Sequence, residues 1–539
     1  MGNDHDGTEV VLTSDKTLLT TYGNNLYMGL AASLPTNVCP DFLYFSLLCP
    51  PVDVSLDGSV ALATPSLRTV EAILVNSDVV PRKNLKVVHP DYLEEHVGRS
   101  TKILGVSAMD PLGLGPSTTT WSTIFSGIPH TRAEFLRLML RRVKRLKEEY
   151  GFKVVLGGSG SWQVSLAGLI DKLGIDHIVT GEGERTIPTL FGDLLKGKTP
   201  SERVIDGPIA QPEEIPPILG PSIFGLVEIS RGCGRGCRFC VPATSGKMRM
   251  LPLEEKIIPD IKVHVESGIK AITFQSDDAL RYGSNGFSID EDALINLYKS
   301  AFEAGAKEVY ITHSTLAPIA YQPEIIEKLT KLLRKHGHRY YGCQPGIETG
   351  SPRLIGKLMV GKPKPYSADE WPEIVKSAMR TMTKNRWVTV STLMIGLPGE
   401  EEEDIEETID LIEDLRPYPS LFVPLFFVPM EHCTLKGAKA FIANYMNKKQ
   451  WELLLACWKH NVLHIDPLYS LTTEQHSLGS RLGILLLTRL LRLFLNLKEK
   501  EISGKSSFLT ALSRIFYGHF SKIPTSEKEV LEKTYGKEQ

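Results

Sequence analysis

Apolar residues follow two rhythms along the chain, and the alternation between them sets the fold expectation. In the first half, short aliphatic runs stand apart: Lys102-Ile-Leu-Gly-Val-Ser-Ala108, Lys153-Val-Val-Leu156 and His177-Ile-Val-Thr180. Residues 43–49, 70–75 and 86–89 are further strand candidates. Between the runs, residues 132–150, 167–173 and 185–195 carry apolar side chains three or four apart, the period of a helix with one buried face. Alternating strands and helices predict a parallel, doubly wound, Rossmann-like sheet within an N-terminal region, 1–205. Five prolines, Pro208, Pro212, Pro216, Pro217 and Pro221, then predict a stiff linker over 206–221.

The second half repeats the alternation. Strands are expected over 223–229, 271–274, 308–312, 340–344, 388–395 and 421–428, with helices over 253–267, 289–304, 323–336, 369–385 and 403–415. About six strand–helix units make a partial (β/α)6 TIM-like barrel over 222–430, whose functional groups belong at the strand C-terminal ends. Past 430 the pattern is helical, at 435–447, 449–462, 480–497 and 506–517, which predicts an α-helical C-terminal domain over 431–539. The most apolar run, 482–497, is short for a membrane span and is broken by Arg489 and Arg492.

Composition narrows this little. Of 539 residues, 42% are hydrophobic and 23% charged, enough for a large core. The net charge of −2 argues for neither a nucleic-acid nor a membrane partner. The polar start, Met1 to Asp6, lacks the apolar core of a signal peptide. Cys39, Cys49, Cys343, Cys433 and Cys457 are dispersed without a pairing pattern, which favours a reducing, cytoplasmic setting. A monomer is expected.

The chemistry concentrates in one loop, Arg231-Gly-Cys-Gly-Arg-Gly-Cys-Arg-Phe-Cys240, where Cys233, Cys237 and Cys240 are spaced C-x3-C-x2-C. Thiolates hold iron–sulfur clusters, and three of them leave one iron of a four-iron cluster without a Cys ligand. A zinc loop is the competing reading, but structural zinc takes four ligands and the sequence holds no second C-x2-C pair. Two Gly-rich stretches follow predicted strands upstream: Asp110, Leu112, Gly113, Gly115, Ser117 and Thr118 in one, Gly157, Gly158, Ser159 and Trp162 in the other. Gly181-Glu-Gly-Glu184 follows the next strand. Each alone reads as an ordinary strand-to-helix turn.

In this order, the Cys loop after a strand and the Gly-rich turns before it resemble the cobalamin-dependent radical S-adenosylmethionine (SAM) methyltransferases. The resemblance implies a [4Fe-4S] cluster on Cys233, Cys237 and Cys240. It implies SAM held by Gln275, Ser276, Asp277, Glu348 and Ser351, with Phe239 near the adenine. It implies cobalamin on the Gly-rich turns, including Gly181, Glu182, Gly183 and Glu184. The activity implied is methylation of an unactivated sp3 carbon through a 5′-deoxyadenosyl radical and methylcobalamin, with an external electron donor. Within the family the chain looks most like the methanogen enzymes that C-methylate methyl-coenzyme M reductase, the glutamine methyltransferase in particular, so a protein or peptide substrate is expected. Cyclisation or rearrangement without methyl transfer, and a non-catalytic Fe–S or corrinoid carrier, stay open. The chain departs from other cobalamin proteins in lacking D-x-H-x-x-G. His96 is off that spacing and reads as an exposed helix residue. His313 and Cys343 are secondary candidates for the active site, and His432 and Cys433 for a substrate channel.

Overall fold

The computed structural model describes residues 6–472 apart from Asn25, Ser245 and Tyr340, together with six residues between 485 and 495. The first half is a six-stranded sheet: β1 (Val10–Ser14), β2 (Leu85–Val87), β3 (Ile103–Ser107), β4 (Lys153–Gly157), β5 (His177–Gly181) and β6 (Val204–Gly207). Its order is β2-β1-β3-β4-β5-β6, and every pairing is parallel. Successive strand residues point to opposite faces, and the cores divide accordingly. Val11, Leu104, Val106, Val154 and Leu156 join Phe135 and Met139 on one side. Val10, Leu12, Ile103, Val155 and Val179 join Leu67, Leu74 and Phe191 on the other. Helices on both faces give the doubly wound layout expected.

Five local expectations differ from the structure, one being the helix over 167–173: helix Trp162–Leu166 ends before it and turns follow. Residues 70–75 lie in helix Pro65–Asn76, not a strand. Thr64 accepts from Leu67 N (3.3 Å) and Pro65 occupies the first helical turn, so the cap decides a run too short to show its own period. Residues 43–49 form helical turns, Asp41–Leu43 and Tyr44–Leu48. β1, unread in the sequence, is an interior strand between β2 and β3. β6 carries the sheet two residues beyond 205, so the Pro-rich connection starts later than 206.

The second half is the six-unit open barrel. Its strands are β7 (Leu226–Glu228), β8 (Ala271–Gln275), β9 (Glu308–Ile311, extended by His313–Ser314), β10 (Tyr341–Glu348), β11 (Trp387–Ile395) and β12 (Ser420–Phe426), adjacent and parallel in that order. Thr312 stitches the two halves, donating its N–H to Phe274 (3.0 Å) and accepting from Gln344 N (2.9 Å).

Both edges are covered by the N-terminal region. At β12, Thr120 Oγ1 on helix Pro116–Phe125 accepts from Phe426 N (2.7 Å), and Trp121 stacks on Trp458 at 5.8 Å. On the β7 side, Ile223 N donates to Ala63 O (2.9 Å) and Arg68 Nε to Pro221 O (3.0 Å).

The expected helix over 435–447 is absent; a single turn, Ala443–Tyr445, stands there. Asn447 and Gln450 bond reciprocally (3.0 and 2.9 Å) at the start of helix Lys448–Thr472. That helix belongs to the barrel wall: Asn461 bonds both backbone groups of Phe422, at 2.6 and 2.7 Å. The helix expected over 506–517, and most of that over 480–497, lie outside the described residues. Among the described residues no helix is long and apolar enough to cross a membrane.

Candidate active site

The Cys loop leaves β7 through three left-handed glycines, Gly232, Gly234 and Gly236, with φ of 74°, 69° and 67°. Only glycine adopts this at little cost, and the turns fold the chain back so that Cys233 and Cys237 are buried and Cys240 half-buried. Side chains from the end of β8 fix the loop. Asp277 Oδ2 accepts from Gly232 N (2.8 Å), and Arg281 donates to Cys233 O. Asp278, fully buried, faces Arg281 (2.7 Å) and Arg235 (3.5 Å). Burial alone would raise the Asp278 carboxyl, but the two guanidinium groups hold it below its usual value. Arg235 Nη1 also reaches the carbonyls of Gly361 (3.0 Å), Lys362 (3.0 Å) and Lys364 (3.2 Å).

Three thiols on one glycine-rich loop, two of them buried, are a donor set that fits a cluster. Among the described residues no three Cys, His, Asp or Glu side chains gather tightly enough to hold one metal ion. A four-iron cluster places each thiolate on a different iron, so its sulfurs stand further apart than the ligands of zinc. Burial pushes the Cys237 thiol up to about 11 and raises Cys233 as well. A coordinating metal supplies the positive charge that deprotonates such thiols.

The SAM candidates separate into two groups. Gln275 Oε1 is buried at the end of β8 without a hydrogen-bond partner, an acceptor suited to an ammonium donor. Burial pushes the Asp277 carboxyl up to about 6. Phe239 is half-buried against the barrel core. Glu348, at φ 68° beside a register shift in β10, pairs with Lys362 (3.0 Å) and accepts from Thr392 Oγ1 (3.2 Å). By contrast, Ser276 is spent inside the fold, bonded to Ser230 Oγ (2.6 Å) and Asp278 N (3.0 Å). Ser351 caps helix Pro352–Leu358 and donates to Asp404 Oδ1 (2.6 Å).

His313 pairs in register with Gln344. Its side chain keeps solvent-accessible surface while protein packs around it, and burial lowers its imidazole against a hydrogen bond to the Ser276 backbone. Cys343 faces the other way and is fully buried core. Cys433 is buried too, whereas His432 lies at the surface.

At the carboxyl edge of the N-terminal sheet the Gly-rich turns meet. The strand order reverses at β1 and β3, and such switch points open crevices that bind ligands. Asp110 organises the first turn, accepting from Gly115 N (3.0 Å), Thr118 Oγ1 (2.5 Å) and Gln163 Nε2 (2.7 Å). Asp110 and Thr118 are thus spoken for, and Leu112 is buried. Gly113 has φ 69°, and a Cβ there would press on Pro129. At Gly158 (φ 94°) a Cβ would run into Ala108 O. Gly157 opens onto free space, Ser159 is exposed, and Met109 beside them is 56% exposed. Ser117 Oγ and Glu184 Oε2 are buried without partners, and Trp162 is buried at the start of helix Trp162–Leu166. A smooth floor rimmed by orphaned polar atoms fits a large, flat ligand with polar edges.

The Gly181–Glu184 turn does something its sequence did not disclose. Glu182 and Glu184 reach the Cys loop: Arg231 contacts Glu182 (2.9 Å), Glu184 (2.8 Å) and Glu228 (2.8 Å), while Arg249 also binds Glu182. Burial opposes charge on Arg231, but these carboxylates raise its pKa well above normal. His96 is buried, with Nε2 against Asp57 O, not exposed as expected. Arg231, Arg235, Arg281 and Lys362 went unread in the sequence. Arg231 and Arg235 flank the cysteines, which was the available signal for them.

Residues 227–412 match the family model of the Radical SAM superfamily, so the chain carries a radical SAM domain. Such a domain takes a [4Fe-4S] cluster and SAM. Curated relatives include a tRNA-2-methylthio-N(6)-dimethylallyladenosine synthase of Nitrosomonas eutropha, 26% identical over 205 residues, 38% of this chain and 44% of the relative. Another is the ribosomal protein uS12 methylthiotransferase RimO of Nitratiruptor sp., 30% identical over 209 residues, 37% and 42% of the two chains. The chain spans about half the length of the curated relatives it matches. Among solved structures, the radical SAM methyltransferase TsrM from Kitasatospora setae, with cobalamin and [4Fe-4S] cluster bound, aligns at TM-score 0.50 and 15% identity, covering 78% of this chain and 77% of TsrM. TsrM with tryptophan substrate and aza-SAM aligns at 0.51 and 14% identity, covering 78% and 75%. The likeness is one of fold.

Proposed function

We propose that the chain is a cobalamin-dependent radical SAM C-methyltransferase acting on an unactivated sp3 carbon of a protein residue. The observation that carries this reading is the Glu182–Arg231–Glu184 junction, which seats the carboxyl edge of the N-terminal sheet directly against the Cys loop. Two cofactor floors, one for a cluster with SAM and one for a corrin, then open toward each other. TsrM, solved with cobalamin and a [4Fe-4S] cluster bound on a similar fold, supports the pairing. When bound, the cofactors would supply a carbon-centred radical route and the methyl group.

The chain's own residues position and shield. Cys233, Cys237 and Cys240 hold the cluster. Gln275 Oε1 and Asp277 accept from the SAM ammonium, and Glu348 lies across the lumen from them. Gly157, Ser159 and Met109 form the corrin floor. His313 and Gln344, paired in register on neighbouring strands, are the residues we assign to the substrate side. A low-potential electron donor completes the system, and methyl-coenzyme M reductase is the first protein substrate to try.

The methylthiotransferase relatives favour a second reading, methylthiolation. Mass spectrometry after anaerobic turnover with SAM, methylcobalamin and a glutamine-bearing peptide from the reductase α subunit decides. The expected product carries one added methyl group, with 5′-deoxyadenosine formed alongside. A sulfur-containing gain supports methylthiolation, and an unchanged mass with 5′-deoxyadenosine supports cyclisation or rearrangement. No SAM cleavage at all leaves the carrier reading.

A further inference from the structure

We propose that Lys362 sets the charge of the Cys-loop site: its buried ammonium offsets Glu348 and the thiolates of Cys237 and Cys240, and so eases one-electron reduction of the bound cluster. This rests on reading the loop as a cluster site. The geometry is specific. Lys362 is 7% exposed, and its Nζ lies 3.0 Å from Glu348 Oε1 and 5.8 Å over the Trp371 ring. Its backbone is pinned to the loop between the first two cysteines, because Arg235 Nη1 donates to the carbonyls of Gly361 and Lys362, each at 3.0 Å. A Cβ on Gly361 would run into Arg235 O, so the two backbones are in contact. Leu358 O accepts from Arg238 N (2.9 Å), which locks the same segment next to Cys237.

The neighbouring guanidinium groups each face a carboxylate of their own, although Arg235 also keeps two buried nitrogens without a hydrogen-bond partner. Arg235 and Arg281 both face Asp278. Arg231 is turned to Glu182, Glu184 and Glu228. Asp277 adds a further carboxyl on the β8 side. Burial should lower a lysine. Lys362 is instead raised, chiefly by Glu348 and then by Cys237, with Cys240 adding to the effect. With Glu348 at 3.0 Å and its segment bonded to Arg235 and Arg238, the ammonium sits beside the stretch that carries Cys237.

Reduction adds one electron, delivered from outside by a low-potential donor, to a site already crowded with negative charge. A neighbouring unit cation favours the reduced form through Coulomb attraction. Lys362 is thus a positioning residue for electron transfer, and its effect is read as a potential.

The test is a dye-mediated spectroscopic titration of the reconstituted cluster with dithionite, followed by electron paramagnetic resonance. Lys362→Met should make one-electron reduction about tenfold less favourable, equal to about 59 mV. Lys362→Arg should restore it, and Glu348→Gln should shift the potential the opposite way. Because Lys362→Met strands a buried Glu348, the Glu348→Gln/Lys362→Met pair is compared with Glu348→Gln alone, where the same tenfold loss is expected. Unchanged potentials in both comparisons overturn the proposal while leaving the cluster reading intact. A wild-type chain that assembles no cluster overturns that reading and this inference with it.

Discussion

Arg231 is the test of whether the two halves act as one site. Replacing it with Met keeps the aliphatic bulk and removes the charge that three carboxylates share. Glu182 keeps Arg249 as a partner, and Glu228, with a side chain 22% exposed, can be solvated. Glu184 loses most, since its side chain is 4% exposed and Oε2 has no other partner. Removing one member of a buried ion pair costs about 3–5 kcal/mol. With one of three carboxylates fully stranded, we expect the lower end, about 3 kcal/mol, at the junction. That raises the population of the opened junction roughly a hundredfold or more.

Hydrogen exchange reads this locally. Amides of residues 181–184, 230–232 and 249–250 should exchange about a hundredfold faster in Arg231→Met, while β3 and β11 stay as protected as before. Adding Glu184→Gln removes the stranded charge and should recover most of the protection, a coupling that a double-mutant cycle isolates. On the proposed function, SAM cleavage should survive better than methyl transfer, because the Cys loop keeps its ties to Asp277, Asp278 and Arg281 while its tie to the Gly-rich turns loosens. Uniform protection across the junction in Arg231→Met, or no recovery on adding Glu184→Gln, refutes the reasoning.

Further outcomes follow from single residues. Cys237→Ser, at the most deeply desolvated of the loop thiols, should lose iron and the visible charge-transfer absorption of a cluster on reconstitution while far-ultraviolet circular dichroism stays native. Asp15, at the end of β1, has its carboxyl pushed up to about 7, burial being the main cause and Glu134 a further one. The folded state then holds a proton that the unfolded state gives up near pH 4. Stability is therefore lost as pH rises from about 4 to about 7 and stays low above that. Asp15→Asn should be more stable than wild type at pH 8, by up to about 4 kcal/mol on a shift of roughly three units, and gain little at pH 5; urea midpoints at the two pH values check this. Gly160→Ala would drive a Cβ into Met109 O. It should weaken cobalamin binding at least tenfold by equilibrium dialysis, leaving the iron content unchanged.

The sequence disclosed best what chemistry demands of residue type. Cys233, Cys237 and Cys240 stood out because three thiols at C-x3-C-x2-C spacing favour a cluster over the competing zinc loop, and the structure folds their loop through left-handed glycines. Barrel strands were readable because short aliphatic or aromatic runs recur between amphipathic helices, with alternate residues buried in the structure. β1 was missed because its five residues sit between polar segments with no repeat to confirm them. Residues 70–75 were misread because the deciding signal was the Thr64–Pro65 cap upstream. Glu182 and Glu184 were found as a turn but not as ion-pair partners, since Arg231 lies 49 residues beyond Glu182 and only folding unites them. Ser351 carried a motif position yet serves as a helix cap, a role that depends on Asp404 arriving from 53 residues away. Lys362 was invisible for the same reason: its charge acquires meaning only beside Glu348 and the cysteines.

The open barrel explains why the N-terminal sheet sits where it does. Six strands do not close a barrel, and an exposed strand edge invites wrong partners. Here β12 is covered by helix Pro116–Phe125, through Thr120 and Trp121, and the approach to β7 is held by Ala63 and Arg68. Helix Pro116–Phe125 directly follows the first Gly-rich turn, and Glu182 and Glu184 come from the third. The contacts that protect the edges therefore also aim the turns at the barrel mouth. Across that mouth runs the irregular segment 431–447, tied to the Cys loop by Leu435 N to Arg238 O (3.1 Å) and to the end of β12 by Phe441 N to Phe427 O (2.8 Å). Phe441 packs so closely over Gly396 that any Cβ there would strike its ring. Full separation of sheet from barrel would expose both strand edges, while the Cys loop keeps its own ties to Asp277 and Arg281, so edge protection and the placement of the Gly-rich turns rest on the same few contacts.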